Sequence, residues 1–211
     1  MRTKAVAGCF LLASMLAACG TSTTPGGPDS SETATSTTSV TTQVARPTIT
    51  DQKLQPPSQD NQYTQSSGRP KVVFDPCTWI DAADIEAVGF QSSSRRRGPD
   101  LVAEYTFLTC TFRNPANTMS LGLDSGNITW DENLKKNGSW LEPTTVNGRR
   151  AGVGKGEPGS ENECHVQMES KVGVVLLWTS VTSMGLNKNL DPCDNIMEIA
   201  SAVEKSIGKE N

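Results

Sequence analysis

Four cysteines, Cys77, Cys110, Cys164 and Cys193, are spread through residues 71–211, and they constrain the fold more than any other feature. No two stand at the short C-x-x-C spacing of a zinc or thiol-redox site, so the pattern speaks against metal or redox chemistry. An even set of cysteines in an exported chain reads instead as a disulfide framework, here of two bridges with three connectivities open. Cys77 and Cys193 follow the same words, Asp75-Pro76 and Asp191-Pro192, each opening a helical pattern, whereas Cys110 and Cys164 lie in strand-like runs. Tying each helix start to a strand favours Cys77 with Cys110 and Cys164 with Cys193. Each bridge would close a loop of roughly 30 residues, which the chain-entropy model values at roughly 3 to 4 kcal/mol.

The disulfide reading requires an oxidising compartment, and the first residues point to one. Met1-Arg-Thr-Lys4 is a short positive segment, and residues 5–16 form an apolar run of secretory-signal length. The uncharged stretch 5–18 is shorter than the ~18 to 20 residues a membrane-spanning helix needs. Leu16-Ala17-Ala18-Cys19 then fits a bacterial lipobox, with small residues for an extended peptidase site and a thiol to take the diacylglyceryl group. The expectation is a signal peptide over 1–18 and a palmitate-type lipid anchor on Cys19. At about 0.8 kcal/mol per buried CH₂, two acyl chains hold a protein durably at a membrane. Cys9 falls inside the apolar run and would leave with it.

Between residues 20 and 70 stand 20 Ser or Thr and six Pro. Too little apolar surface is present there to offset chain entropy, so 19–70 is expected to be a lipidated cysteine followed by a disordered tether. Residues 71–211 then form one globular domain. That domain carries 14 basic and 19 acidic side chains, a poor electrostatic partner for nucleic acid.

The fold class expected of it is α+β. Asp75-Pro76 caps a helix over 77–88 that Gly89 ends, and Ile196, Ile199, Ala200, Val203 and Ile207 repeat at helical spacing before Gly208. Strand patterns run over 102–112, 119–123, 164–168 and 174–181. Residues 144–146 and 149–153 flank Asn147-Gly148, a strong hairpin signal. A short helix over 131–137 completes an antiparallel sheet of five or six strands packed with an N-terminal and a C-terminal helix.

Phe74-Asp-Pro-Cys77-Thr-Trp-Ile80 leading to Val88-Gly89-Phe90, then Cys110-Thr-Phe112 and Asp191-Pro-Cys193, resembles the actinobacterial lipoprotein family catalogued as domain of unknown function 3558. The resemblance spans the whole domain and agrees with the lipobox and tether. It implies an envelope lipoprotein and supplies no catalytic residues.

The residues themselves mark no catalytic centre, cofactor or metal site. His165, the only histidine, follows Cys164 in a strand and reads as structural or surface. No Gly-x-Ser-x-Gly or Ser-x-x-Lys word accompanies it. Gly152-Val-Gly154-Lys-Gly156 lacks the Lys-Ser/Thr ending of a phosphate loop. Asp124, Asn127, Thr129 and Asp131 lack the glycine and glutamate of a calcium loop. Arg95, Arg96 and Arg97 read as a basic loop able to dock an anionic lipid headgroup or wall polymer. Trp130 and Trp140 flank a polar stretch and could line a groove, while Trp178 reads as core. The expectation is therefore a non-enzymatic, membrane-anchored binding module on the extracytoplasmic face, with an envelope protein, lipid or wall polymer as partner. The alternative is an envelope enzyme acting on a wall or lipid substrate.

Overall fold

A computed structural model describes residues 49–156, 159–160 and 162–211. The expected signal peptide, Cys19 and the first part of the tether lie outside the described residues.

One antiparallel sheet organises the described chain. Its strands are β1 (Gln91–Arg97), β2 (Leu101–Val102), β3 (Thr106–Arg113), β4 (Met119–Gly126), β5 (Glu142–Val146), β6 (Arg149–Gly154), β7 (Glu163–Glu169) and β8 (Val174–Val181). The spatial order is β1-β3-β4-β8-β7-β6-β5, with β2 paired to β3, so β8 returns to lie beside β4 and joins two meanders. The helices are α1 (Gln62–Ser67), α2 (Pro76–Trp79), α3 (Ala82–Ala87), α4 (Trp130–Asn137) and α5 (Ile196–Ile207).

Because side chains alternate along a strand, Cys110 and Phe112 of β3, Leu121 and Leu123 of β4, Val175 and Leu177 of β8 and Val166 and Met168 of β7 fall on one face. They join Phe74, Ile80, Ile85, Ile199, Val203 and Ile207 in a single core. The expected C-terminal helix is present, and Gly208, at φ +74°, ends it. Asn147 and Gly148, at φ +50° and +85°, make the expected turn between β5 and β6. Both disulfides are present, Cys77 with Cys110 and Cys164 with Cys193.

Four expectations are corrected. The helix over 77–88 is two helices, because Asp81 accepts a hydrogen bond from the Ala83 amide at 2.9 Å and so starts a new turn. The break drives Ile80 into the core, where it is 1% exposed. Asp191-Pro192-Cys193 is a turn in which Asp191 accepts from the Cys193 amide, and the helix itself begins at Ile196. The sheet has eight strands, not five or six. The additional ones are two-residue β2 and β1, whose Gln-Ser-Ser-Ser-Arg-Arg-Arg holds no apolar residue. Such a strand is legible only by its backbone pairing at a sheet edge.

The folded body also starts ahead of residue 71. The Ile49 amide donates to the Thr78 carbonyl at 2.8 Å. Gln59 bonds the Val72 amide and carbonyl, both at 2.9 Å, and the Asn61 side chain donates to the Val102 carbonyl. Residues 49–70 are thus strapped to the domain by polar groups, which an argument from apolar content does not register. Of that strap, Leu54 packs against the core.

Candidate functional site

The core face of the sheet is sealed by α2, α3 and α5. Strand alternation sends the other residues to the opposite face, and register pairs read across it in rows. One row runs Arg96, Thr111, Gly122, Trp178, His165 and Gly154 across β1, β3, β4, β8, β7 and β6. The next includes Thr109, Asp124, Leu176 and Gln167.

One end of this face is covered by α4. Thr129 and Glu132 form a reciprocal capping box at its start. Arg69 holds the Glu132 carboxylate with two guanidinium nitrogens at 2.6 and 2.9 Å. That pairing, with the Thr129 hydrogen bonds, lowers the Glu132 pKa to about 2. Asn133 donates to Gln167 at 2.6 Å, and Leu141 lies over Gly152. Beyond α4, Leu176, Trp178, Asp124, His165 and Thr111 stay half-buried, neither sealed nor fully in water.

Glycine positions shape the aromatic surface. A Cβ on Gly122 would collide with the benzo ring of Trp178, and one on Gly126 with Phe107, so each ring lies down on bare backbone. Gly154 likewise sits beneath Trp140, which meets His165 edge-on at 5.4 Å between centroids. The spaced glycines of Gly152-Val-Gly154 are therefore seats for Leu141 and Trp140 within β6. Trp178, expected in the core, belongs to this second face because Leu177 takes the inward position. Its indole N–H has no hydrogen-bond acceptor among the described residues.

Two ionisable groups on this face are displaced from their ordinary values. Burial raises the Asp124 carboxyl above the usual range, against the Thr109 hydroxyl that donates to it at 2.5 Å. Burial also lowers His165, against the opposing pull of Glu163 at 3.3 Å. An acid whose folded pKa is raised favours the fold below its unfolded value and loses that contribution as pH climbs through the folded one. Asp124→Asn, which keeps the oxygen that accepts from Thr109, is therefore expected to raise the melting temperature at pH 7, with the gain shrinking toward pH 3. A gain that grows on acidification would refute the assignment. A carboxyl retained at a cost to stability is a recurrent property of binding surfaces.

The arginine triplet is not a loop but the end of β1, and alternation splits it. Arg95 turns inward over the Phe112 ring and donates to the Cys77 and Ile80 carbonyls at 3.0 and 2.7 Å, closing the end of α2. Arg97 also turns inward, to Asp75 at 2.6 Å, Asp100 at 3.1 Å and the Leu54 carbonyl. Only Arg96 reaches the open face, while Arg95 and Arg97 are engaged within the fold; all three also line a separate cleft of about 510 Å³ with Asp51, Lys53 and Leu54. Beside Arg96, a cleft of about 480 Å³ is lined by Arg113, Thr111, Asn117 and Ser183.

Trp130 and Trp140 do not form two walls of a groove. Trp130 is 6% exposed at the start of α4 beneath the Arg150 guanidinium, and Trp140 is turned against His165. Both indole N–H groups are buried without an acceptor among the described residues. Asn127 spends its side chain on the Thr106 amide and the Pro70 carbonyl, and Thr129 caps α4. Trp178, Asp124 and Arg113 were missed as site residues. Their parity relative to Cys110 and Cys164, once those two are placed in the core, is the signal that would have found them.

Residues 14–206 match the model of a family described as Protein of unknown function (DUF3558). No curated protein and no solved structure matches the chain.

Proposed function

The chain belongs to the DUF3558 family of proteins of unknown function, and from that premise we propose that it is a binding module held at the extracytoplasmic face of the cell membrane by a lipid on Cys19. The observation that carries the binding role is the half-open sheet face. A flat indole, an imidazole and a carboxyl held above its ordinary pKa share a surface that α4, among the described residues, covers at one end only. An aromatic plane with flanking polar groups suits a ligand that offers both an apolar face and hydrogen-bonding groups. Two disulfides in one domain support an oxidising location, in keeping with the charged start, apolar run and Leu16-Ala17-Ala18-Cys19.

The enzymatic alternative would have to be built on His165 and Glu163. Among the described residues His165 has Glu163 as its polar partner and no serine or cysteine hydrogen-bonded to it, which favours the binding role. Protein purified from its native envelope is expected to carry a small molecule or lipid that Trp178→Ala loses. Cys19→Ala is expected to move the protein from the membrane to the soluble fraction. An unchanged ligand load in Trp178→Ala would refute the binding face, and membrane retention of Cys19→Ala would refute the anchor.

A further inference from the structure

Seven arginines lie among the described residues, Arg69, Arg95, Arg96, Arg97, Arg113, Arg149 and Arg150. Five have partners within the chain. Arg69 holds Glu132, Arg95 two backbone carbonyls, Arg97 Asp75 and Asp100, and Arg149 Glu204. Arg150 lies over Trp130 and 3.9 Å from Glu169. The two without a partner among the described residues, Arg96 and Arg113, line the same cleft of about 480 Å³, whose lining includes no carboxylate. In a domain with more acidic than basic side chains, two guanidiniums sharing one concavity without a carboxylate in its lining make a local donor set complementary to an anion.

The other polar groups of the cleft sort into those already engaged and those available. Ser94 donates to the Gln91 carbonyl and accepts from the Arg113 amide, and Thr182 donates to the Asn117 carbonyl. The Asn117 side-chain amide and the Ser183 hydroxyl, both exposed, have no partner among the described residues. The free groups are thus two planar five-donor forks, one amide and one hydroxyl, a donor-rich set whose guanidiniums match the oxygens of a phosphoryl group better than a point charge would.

We propose that the Arg96–Arg113 cleft binds the phosphoryl group of a phosphate mono- or diester, whose remaining part extends over Thr111 toward the Trp178 indole that lies on Gly122. The proposal rests on the binding face described above and gives its ligand a chemical class. Arg96 and Trp178 stand in one row three strand positions apart, roughly 14 Å at ~4.8 Å per position. A ligand spanning both is larger than phosphate itself, and the exposed Met184 at the cleft gives its apolar part a wall. The ester group could come on a soluble molecule or on a lipid headgroup, and the two are separable by experiment.

The full chain carrying Cys19→Ala, so that no acyl chain contributes, is titrated by calorimetry with inorganic phosphate and with glucose 1-phosphate at fixed ionic strength set by chloride. It is also sedimented with phosphatidylglycerol vesicles against phosphatidylcholine vesicles. Binding in at least one arm is expected, with a loss of tenfold or more in Arg96→Gln/Arg113→Gln and partial recovery in Arg96→Lys/Arg113→Lys. Glucose 1-phosphate bound more tightly than phosphate, without vesicle capture, assigns a soluble ester; capture by phosphatidylglycerol vesicles alone assigns a headgroup. Neither guanidinium has a partner to lose among the described residues, so the glutamine variant is expected to melt with the parent. A variant that binds as the parent does, or a parent that binds in no arm, overturns the proposal. If the anion arms fail while the Trp178-dependent ligand load persists, the arginine cleft falls and the binding face stands.

Discussion

Arg97→Met is expected to cost about 3 to 5 kcal/mol of stability, the range for breaking a buried ion pair by removing one partner. Its side chain is 11% exposed, and the carboxylates it serves, Asp75 and Asp100, are 4% and 8% exposed. Methionine fills similar volume and leaves both carboxylates without their cation. Those carboxylates are not spare: Asp75 caps α2 through the Cys77 amide and accepts the Thr78 hydroxyl, and Asp100 accepts from the Thr109 amide at 2.7 Å. The same guanidinium grips the Leu54 carbonyl of the N-terminal strap, so strap, helix start and sheet edge loosen together. For a folded body of this size the melting temperature should fall by roughly 10 °C or more. Arg96→Met, one residue away, should stay within about 0.5 kcal/mol of the parent because its side chain is exposed and has no partner among the described residues. Equal losses in the two variants, measured by urea unfolding, would sink the assignment.

That contrast marks where the sequence was legible. Asn147-Gly148, the spacing of Ile199, Val203 and Ile207, the helix start at Cys77 and the strand settings of Cys110 and Cys164 each carry their own local physics, and each is realised. Three adjacent arginines do not announce whether they share a surface, because the answer depends on recognising β1 as a strand. Nothing apolar alternates in β1; it is held by pairing with β3 and by Arg95 and Arg97 gripping carbonyls and carboxylates from α2 and the strap. Trp178 was hidden for the opposite reason. Val-Val-Leu-Leu-Trp in β8 is apolar on both faces, so alternation is masked until register with Gly122 and His165 places the indole outside. The strap over 49–70 depends on hydrogen bonds to residues up to 63 positions away, as from Arg69 to Glu132. Side-chain chemistry was therefore readable where it was local, and the candidate site was not, because it is assembled by pairing across the sheet.

Removing both disulfides is expected to leave the domain unable to hold its fold at 37 °C. The bridges span 33 and 29 residues, and each is worth roughly 3.6 kcal/mol on the chain-entropy account. Their loops, 77–110 and 164–193, do not overlap, so to first order the contributions add to roughly 7 kcal/mol, within the 5 to 15 kcal/mol typical of a whole domain. The two losses act at different places. Cys77–Cys110 ties α2 to the middle of β3, beneath the Arg97 network. Cys164–Cys193 ties β7, one residue from His165, to the turn ahead of α5, where the Thr179 hydroxyl also donates to the Pro192 carbonyl. Cys164→Ala/Cys193→Ala alone should therefore unfold at lower denaturant while keeping the α2 end intact, and the quadruple alanine variant should lose the cooperative transition. A reduced chain that melts within a few degrees of the oxidised one would refute this. If the expected loss is found, folding itself requires an oxidising compartment, and the cysteine framework becomes an argument for where the protein works that is independent of residues 1–19.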